Sequence, residues 1–274
     1  MRSLDGKVVV ITGAGSGIGR ALALAAARQG AVLALTDWDE VGLVETAQQV
    51  QTSTHRVVRT DKLDVRDRDA MRAYAASVAE ELGRVNVVVN NAGVALHGDF
   101  EEMSYDDFEW VMDVDFWGVV QGTKEFLPHL IASGDGHVVN ISSLFGLVGM
   151  PGQTAYNAAK FGVRGFTEAL RQEMILAGHP VQVTCVHPGG IKTAIVRNAR
   201  VTASHEHAHV AQHFDTKLAR MTPDRAAEII LDGVLANKPR VLVGSDAKAL
   251  DWVQRLLGAR YQRLFTLAAR RLGP

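Results

Sequence analysis

Residues 7–37 read KVVVITGAGSGIGRALALAAARQGAVLALTD, and the order of the pieces in this stretch decides the fold. Residues 7–12 are an apolar run closed by glycine, the pattern of a strand buried inside a parallel sheet. Gly13-Ala14-Gly15-Ser16-Gly17-Ile18-Gly19 follows, and ALALAAARQG then reads as a helix ending near Gly30. A glycine-rich turn between a strand and a helix is the context a dinucleotide fingerprint requires. The glycines allow a tight turn and close backbone approach, so a pyrophosphate can rest on the helix N-terminus. A second strand, residues 32–36, delivers Asp37, 24 residues beyond Gly13. That is near the spacing of the acid that accepts from an adenosine ribose. A carboxylate there repels a 2′-phosphate, and Ala14 and Ser16 offer no compensating base, which favours NAD over NADP. The plainer alternative is that Asp37 only caps the helix starting near Asp39.

Outward from this unit the alternation continues. A helix over 40–51 leads to a strand at 56–60, with Asp64-Val65 at a strand end; a helix over 67–82 leads to a strand at 85–90 that runs into Asn91-Ala92-Gly93. A long helix over roughly 104–131 precedes a strand at 137–142, and a helix over 154–177 precedes a strand at 181–187 broken by Pro188-Gly189-Gly190. The last pair is a helix over 223–236 and a strand at 240–244. Seven strands alternating with helices imply an α/β fold, a single doubly wound parallel-sheet domain with ligands at the C-terminal strand ends.

Composition fits this reading. The chain has 274 residues, 47% hydrophobic and 22% charged, with a formal net charge of −1, which gives no sign of a nucleic-acid partner. The one cysteine, Cys185, excludes an internal disulfide framework and fits a reducing compartment. The N-terminus enters a strand directly, without a signal-peptide pattern, and no apolar run is long enough to cross a membrane; the expected location is the cytoplasm.

Residues 143–160, SLFGLVGMPGQTAYNAAK, carry the chemistry. Tyr156 and Lys160 stand at i and i+4, so on a helix they share a face. An ammonium beside a phenol favours the phenolate and lowers a pKa of about 10. A tyrosine tuned this way exchanges a proton near neutral pH. Tyr and Lys at this spacing also occur on ordinary solvated helix faces.

Together, Thr12 to Gly19, Asp64-Val65, Asn90-Asn91-Ala92-Gly93, Ser143, Tyr156 with Lys160, and Pro188-Gly189 resemble the short-chain dehydrogenase/reductase family. The match is to its single-domain branch and spans residues 7–193. Within it, residues 113–146 look like the secondary-alcohol dehydrogenases of actinobacteria. The resemblance implies a Rossmann fold over 1–245, and residues 246–274 read apart from it as a basic amphipathic tail. It implies that Tyr156 exchanges a proton with the substrate oxygen and that Ser143 holds that oxygen, with Ser142 the rival hydroxyl. Lys160 would bond the nicotinamide ribose and depress the Tyr156 pKa. Thr12, Gly13, Ser16, Gly17, Ile18 and Gly19 would line the pyrophosphate, and Asp64 and Val65 the adenine. Asn91, with Ala92 and Gly93 beside it, would meet the adenosine ribose; Pro188, Gly189, Ile191 and Thr193 would flank the carboxamide.

Where many family members carry Asn on the long helix, this chain has Asp115. An ionised Asp cannot donate the hydrogen bond an amide can, but it can pair with Lys160 and hold its charge. The expectation is that Asp115 keeps the proton relay and shifts its pH optimum.

Leu144 and Met150 belong to the apolar residues around the expected pocket, and His97 borders it, so the expected substrate is a hydrophobic secondary alcohol or its ketone. A steroid or lipid hydroxyl dehydrogenase, or a non-catalytic nucleotide-binding protein, are the rival readings. His205, His207, His209 and His213 are read as a polar lid, not a metal site. The tail sets six basic residues against Asp246 and Asp251, with Trp252, Leu256, Leu257, Tyr261, Leu264, Phe265 and Leu267 at helical spacing. Such a basic amphipathic segment packs over the pocket, against another subunit, or on an anionic membrane surface. The apolar long helix and the helix after Tyr156 predict a homo-oligomer, a dimer or tetramer.

Overall fold

The computed structural model describes residues 1–55, 58–203, 207–208, 212, 216 and 219–272. Strand β1 (Val8–Thr12) is buried along its whole length. It has parallel neighbours on both edges, β2 (Val32–Asp37) and β4 (Val87–Asn90). With β3 (Arg59–Lys62), β6 (Gly136–Ile141), β7 (Val181–Pro188) and β9 (Arg240–Val243) they form one seven-stranded sheet in the order β3-β2-β1-β4-β6-β7-β9. Every ladder in it is parallel. The chain leaves β1 toward one edge and resumes at β4 toward the other, so a crevice opens where the order reverses.

Successive side chains of a strand face opposite sides, and β1 feeds two cores. Val9 and Ile11 pack with Leu22 and Ala26 of α1 (Gly17–Arg28) and Ile230 and Val234 of α7 (Pro223–Leu235). Val8 and Val10 pack with Met71 and Val78 of α3 (Arg68–Leu82), Phe126 and Leu130 of α5 (Gly118–Ala132), and Leu170 and Met174 of α6 (Thr154–Leu176). Each fully buried aliphatic side chain stabilises the fold by about 1.5–3 kcal/mol. Helix starts follow capping chemistry. Asp39 accepts from Val41 N at the start of α2 (Glu40–Thr54), Asp67 caps α3, and Thr222 caps α7, which has Pro223 in its first turn.

The doubly wound architecture is the one predicted, with local differences. The third strand falls at Arg59–Lys62, later than the expected 56–60, of which 56 and 57 lie outside the described residues. Its alternating RTDK pattern is that of a half-exposed edge strand. The long helix is not continuous: α4 (Tyr105–Met112) passes into a π turn at Asp113–Trp117 before α5 begins. Such turns admit one extra residue and re-aim a side chain. The one re-aimed here is Asp115, which points inward and is fully buried. Unforeseen in the sequence, β5 (Leu96–His97) and β8 (Arg200–Val201) form a separate parallel ladder. The tail folds as α8 (Ser245–Leu257) and α9 (Tyr261–Leu272).

A chain of buried amides and hydroxyls ties the middle of the sheet to its helices. Asn90 Nδ2 donates to Thr123 Oγ1 at 3.0 Å and Asn140 Oδ1 at 2.8 Å, and Asn140 Nδ2 donates to Thr167 Oγ1 at 3.0 Å. Cys185 is buried in β7, and burial pushes its thiol up to about 12, so it is an inert core residue. Among the described residues no helix is long and apolar enough to cross a membrane, and no three His, Cys, Asp or Glu side chains gather as metal ligands. Of the histidine cluster only His207 is described, and it is exposed; His205, His209 and His213 lie outside the described residues.

Candidate active site

The loops after β1, β2 and β3 form one half of the crevice. Gly13 has φ +65°, and a Cβ there would lie 2.7 Å from Ala92 Cα, so only glycine lets the two loops meet. Thr12 Oγ1 accepts from Asn91 N at 3.0 Å and Ala92 N at 3.1 Å, and Asn91 Nδ2 donates to the Thr12 and Gly13 carbonyls at 3.0 Å each. Both side chains therefore brace the glycine turn. Ser16 precedes α1 but makes no side-chain cap bond, which leaves the N–H groups of the first turn open to an anion. A bare glycine backbone at a helix N-terminus fits a pyrophosphate. Asp37 closes the far end: its Oδ2 accepts from Gly15 N at 2.7 Å and its Oδ1 from Asp39 N at 2.9 Å. Asp39, not Asp37, caps α2 directly. Asp64 and Val65 follow β3 beside this end, with Asp64 held below its usual range first by its hydrogen bond to Arg66.

Arg20, which the sequence reading passed over, locks the turn. It donates to the carbonyls of Gly15 and Gly42 and to Thr46 Oγ1, and it pairs with Glu45. From the other side of the crevice the loop after β7 carries Pro188, Gly189, Ile191 and Thr193. Thr193 reaches the glycine turn, where a Cβ on Gly17 would come within 3.1 Å of its Cγ2.

The second half brings together Ser143, Tyr156, Lys160 and Asp115. Ser143 sits just past β6, where its Oγ accepts from Phe145 N at 3.1 Å beside the Tyr156 phenol. Ser142 instead donates to the Lys160 carbonyl at 2.8 Å, a structural tie to α6, so Ser143 is the hydroxyl in the site. Lys160 is 3% and Asp115 0% exposed, and Lys160 Nζ lies 3.2 Å from Asp115 Oδ2 and 5.5 Å from the centre of the Tyr156 ring. Asp115 Oδ1 accepts from Val94 N at 2.7 Å. Gly93 leaves room for this pair, since a Cβ there would stand 3.3 Å from Asp115 Oδ1 and 3.4 Å from Lys160 Nζ.

Burial alone would discharge Lys160, but the facing carboxylate outweighs it and holds the ammonium charged. The Asp115 carboxyl is itself pushed up by burial, against the pull of Lys160. The Tyr156 phenol is pushed up overall: burial is the largest cause, Lys160 pulls it down as expected, and Asp115 pushes it up again. The anion that keeps Lys160 charged cancels part of the effect of that charge on the phenol.

Of the expected substrate-side residues, Leu144 and Met150 are half-buried on the loop between Ser143 and Tyr156. His97 Nδ1 contacts Gln153 Nε2 at 2.9 Å at the end of that loop.

The model of the short chain dehydrogenase family matches residues 7–204. The chain belongs to the short-chain dehydrogenase/reductase family. It is 55% identical over 274 residues to SadH of Mycobacterium tuberculosis (strain ATCC 25618 / H37Rv), which bears an oxidoreductase name; the match covers 100% of this chain and 99% of SadH. A short-chain dehydrogenase/reductase from Burkholderia phymatum, solved in complex with NAD, superposes with a TM-score of 0.86 at 28% identity, covering 94% of this chain and 95% of that one. Carveol dehydrogenase from Mycobacterium avium, also solved with NAD, gives 0.75 at 26% identity over 89% and 97%.

Two further residues that position the short-chain dehydrogenase site were not read from the sequence. Asn157 organises the substrate-side loop: it donates to Phe145 O at 2.6 Å and Val148 O at 2.9 Å and accepts from Met150 N at 2.9 Å. Its place beside Tyr156 was the available signal. His187 lies in an apolar strand, and its Nδ1 bonds the Ser143 carbonyl at 2.8 Å. Burial pushes His187 down to about 4 and His137 down to about 3. Above about pH 6.5 both rings are neutral folded and unfolded, and contribute no pH dependence. Below that the unfolded chain takes up protons the folded chain refuses, so stability falls as pH drops from about 6.5 toward about 4. For His187 the loss is roughly 3 kcal/mol. Urea midpoints at about pH 7 and about pH 4.5 check it: the acid loss should be clearly smaller in His187→Gln.

Proposed function

We propose that this short-chain dehydrogenase/reductase is an NAD(H)-dependent oxidoreductase, working in the cytoplasm, that interconverts a hydrophobic secondary alcohol and its ketone. The observation that carries the reading is the convergence of the Ser143 hydroxyl, the Tyr156 phenol and the buried Lys160 ammonium at one strand end, beside a glycine cradle. A nicotinamide dinucleotide held by the turn from Gly13 to Gly19 and by Asp37 would supply the two-electron hydride chemistry. Tyr156 takes the alcohol proton in one direction and returns it to the ketone oxygen in the other. Ser143 donates a hydrogen bond to that oxygen and orients it. Lys160, held charged by Asp115, stabilises the phenolate. With a raised phenol pKa, Tyr156 starts as a proton donor at neutral pH, which suits ketone reduction; alcohol oxidation gains as pH rises.

The choice of NAD rests on Asp37, whose carboxylate at the end of β2 repels a 2′-phosphate. The NAD-bound relatives support it. The apolar loop between Ser143 and Tyr156, and the likeness to an enzyme of carveol, a cyclic secondary alcohol, support the substrate class. Trp117 and Phe161 remain 44% and 39% exposed where the π turn packs on α6, the surface through which we infer that two copies associate.

The test is a screen of NADH formation over small and bulky secondary alcohols, with NAD and NADP in parallel and Tyr156→Phe as the blank. Turnover confined to sterols or lipid alcohols would move the reading to a steroid or lipid hydroxyl dehydrogenase. NADH binding without turnover of any alcohol would leave a nucleotide-binding protein.

A further inference from the structure

The C-terminal segment touches both walls of the crevice, at two points that no nucleotide or substrate role has yet explained. The first is at the start of α8. Asp246 Oδ2 accepts from Gly190 N at 2.7 Å, while Gly189 N donates to the Val243 carbonyl at 2.9 Å. Glycine at 189 leaves room for this carboxylate, since a Cβ there would overlap it. The loop after β7, which carries Ile191 and Thr193 toward the glycine turn, is therefore pinned from below by the tail.

The second point is at the start of α9. Tyr261 is only 7% exposed, in a segment where Trp252, Leu256, Leu264 and Leu267 are all more than 50% exposed. Its ring stacks edge-on against Phe265 at 5.3 Å, and its hydroxyl oxygen accepts from Gly149 N at 2.8 Å. Gly149 lies midway along the loop between Ser143 and Tyr156. Asn157 ties that loop at Phe145, Val148 and Met150, and Gly98 N ties its far end at the Gly152 carbonyl. Tyr261 holds the middle of the loop from outside the sheet.

We propose that Tyr261 is a positioning residue for the substrate-side loop, so that the C-terminal segment sets which alcohols the site accepts. The proposal rests on the alcohol–ketone reading for its substrate arm, but the anchoring itself can be read without turnover. The phenol oxygen fixes the Gly149 amide, and with it the half-buried Leu144 and Met150 on either side. Asp246 does the corresponding work on the nucleotide side. The two anchors sit at separate loops, so their effects separate.

The experiment compares wild type, Tyr261→Phe and Asp246→Ala by hydrogen exchange, NADH binding and steady-state kinetics. Tyr261→Phe keeps the ring and its packing on Phe265 and removes only the acceptor. Exchange over residues 144–153 should rise roughly fivefold, the size expected for one lost hydrogen bond. NADH affinity, read by fluorescence titration, should stay within about twofold. With 2-alkanols from propan-2-ol to decan-2-ol, KM should rise roughly five- to tenfold for the longer members while kcat changes by less than about twofold. Asp246→Ala should instead weaken NADH binding and leave exchange over 144–153 unchanged. Unchanged exchange over 144–153 in Tyr261→Phe overturns the proposal, as does raised exchange with no change of KM for any alkanol the wild type oxidises. If the wild type oxidises none of them, the alcohol reading fails by itself and the exchange result decides whether Tyr261 anchors the loop.

Discussion

Tyr156→Phe lowers alcohol oxidation and ketone reduction by roughly a thousandfold, the range expected when a positioned acid–base group is removed. The substitution takes away one oxygen and nothing else. The ring keeps its edge-on contact with Phe145, whose centre lies 6.2 Å away at 90°. Asn157 still organises the loop, Asp115 still faces Lys160, and the bonds that brace the glycine turn do not involve Tyr156. Melting temperature and NADH affinity should therefore match the wild type while the rate collapses. The measurement is the initial rate of absorbance change from NADH, alongside a thermal melt and a fluorescence titration. A variant retaining more than about a tenth of wild-type turnover would mean that the proton moves by another route.

Asp115→Ala carries the largest expected loss of stability. It removes the partner of a buried ammonium and the acceptor of the Val94 amide in one step. Deleting one member of a buried ion pair costs about 3–5 kcal/mol, because the other charge is left without compensation. Urea unfolding reads this directly. Asp115→Asn separates folding from chemistry, since its amide oxygen can still accept from Val94 N. What it lacks is the negative charge that pushes the Tyr156 phenol up. That same charge holds Lys160 protonated, and the pull of Lys160 on the phenol is the larger of the two, so in this variant the phenol pKa rises and the onset of alcohol oxidation moves toward higher pH. A profile and rate identical to wild type would show that the Asp115 charge plays no part in the relay.

The strand–turn–helix unit at 7–37 was legible because each of its requirements is local: an apolar run, glycines at the turn, an alanine-rich helix and an acid after the second strand. The same holds for Tyr156 and Lys160, whose spacing on α6 needs only a helix. What the sequence hid depends on distant partners. The inward turn of Asp115 arises from one extra residue in a π turn, which apolar periodicity does not register. The raised phenol pKa results from a balance between burial, Lys160 and Asp115, and composition gives the sign of only one of these. His187 sat in an apolar strand and gave no hint of its bond to Ser143. The bond from Gly149 to Tyr261 spans 112 residues. The β5–β8 ladder joins two two-residue strands too short to show any period.

The amide and hydroxyl chain from Asn90 through Asn140 to Thr167 bears on how the sheet assembles. Strands β4 and β6 are almost wholly apolar apart from Asn90, His137 and Asn140, and apolar parallel strands tolerate sliding past one another, since valine replaces valine at each step. In the native register Asn90 stands directly opposite Asn140. A slip of one residue turns each of these side chains to the other face of its partner's pattern, and their amides lose one another. Each buried amide group left without a partner costs about 1–3 kcal/mol, so the alignment that loses these bonds is penalised. Parallel sheets close late, after long stretches of chain have been brought together, and misaligned intermediates are their characteristic delay. The asparagines at the centre of this sheet therefore favour one β4–β6 alignment over its one-residue slips.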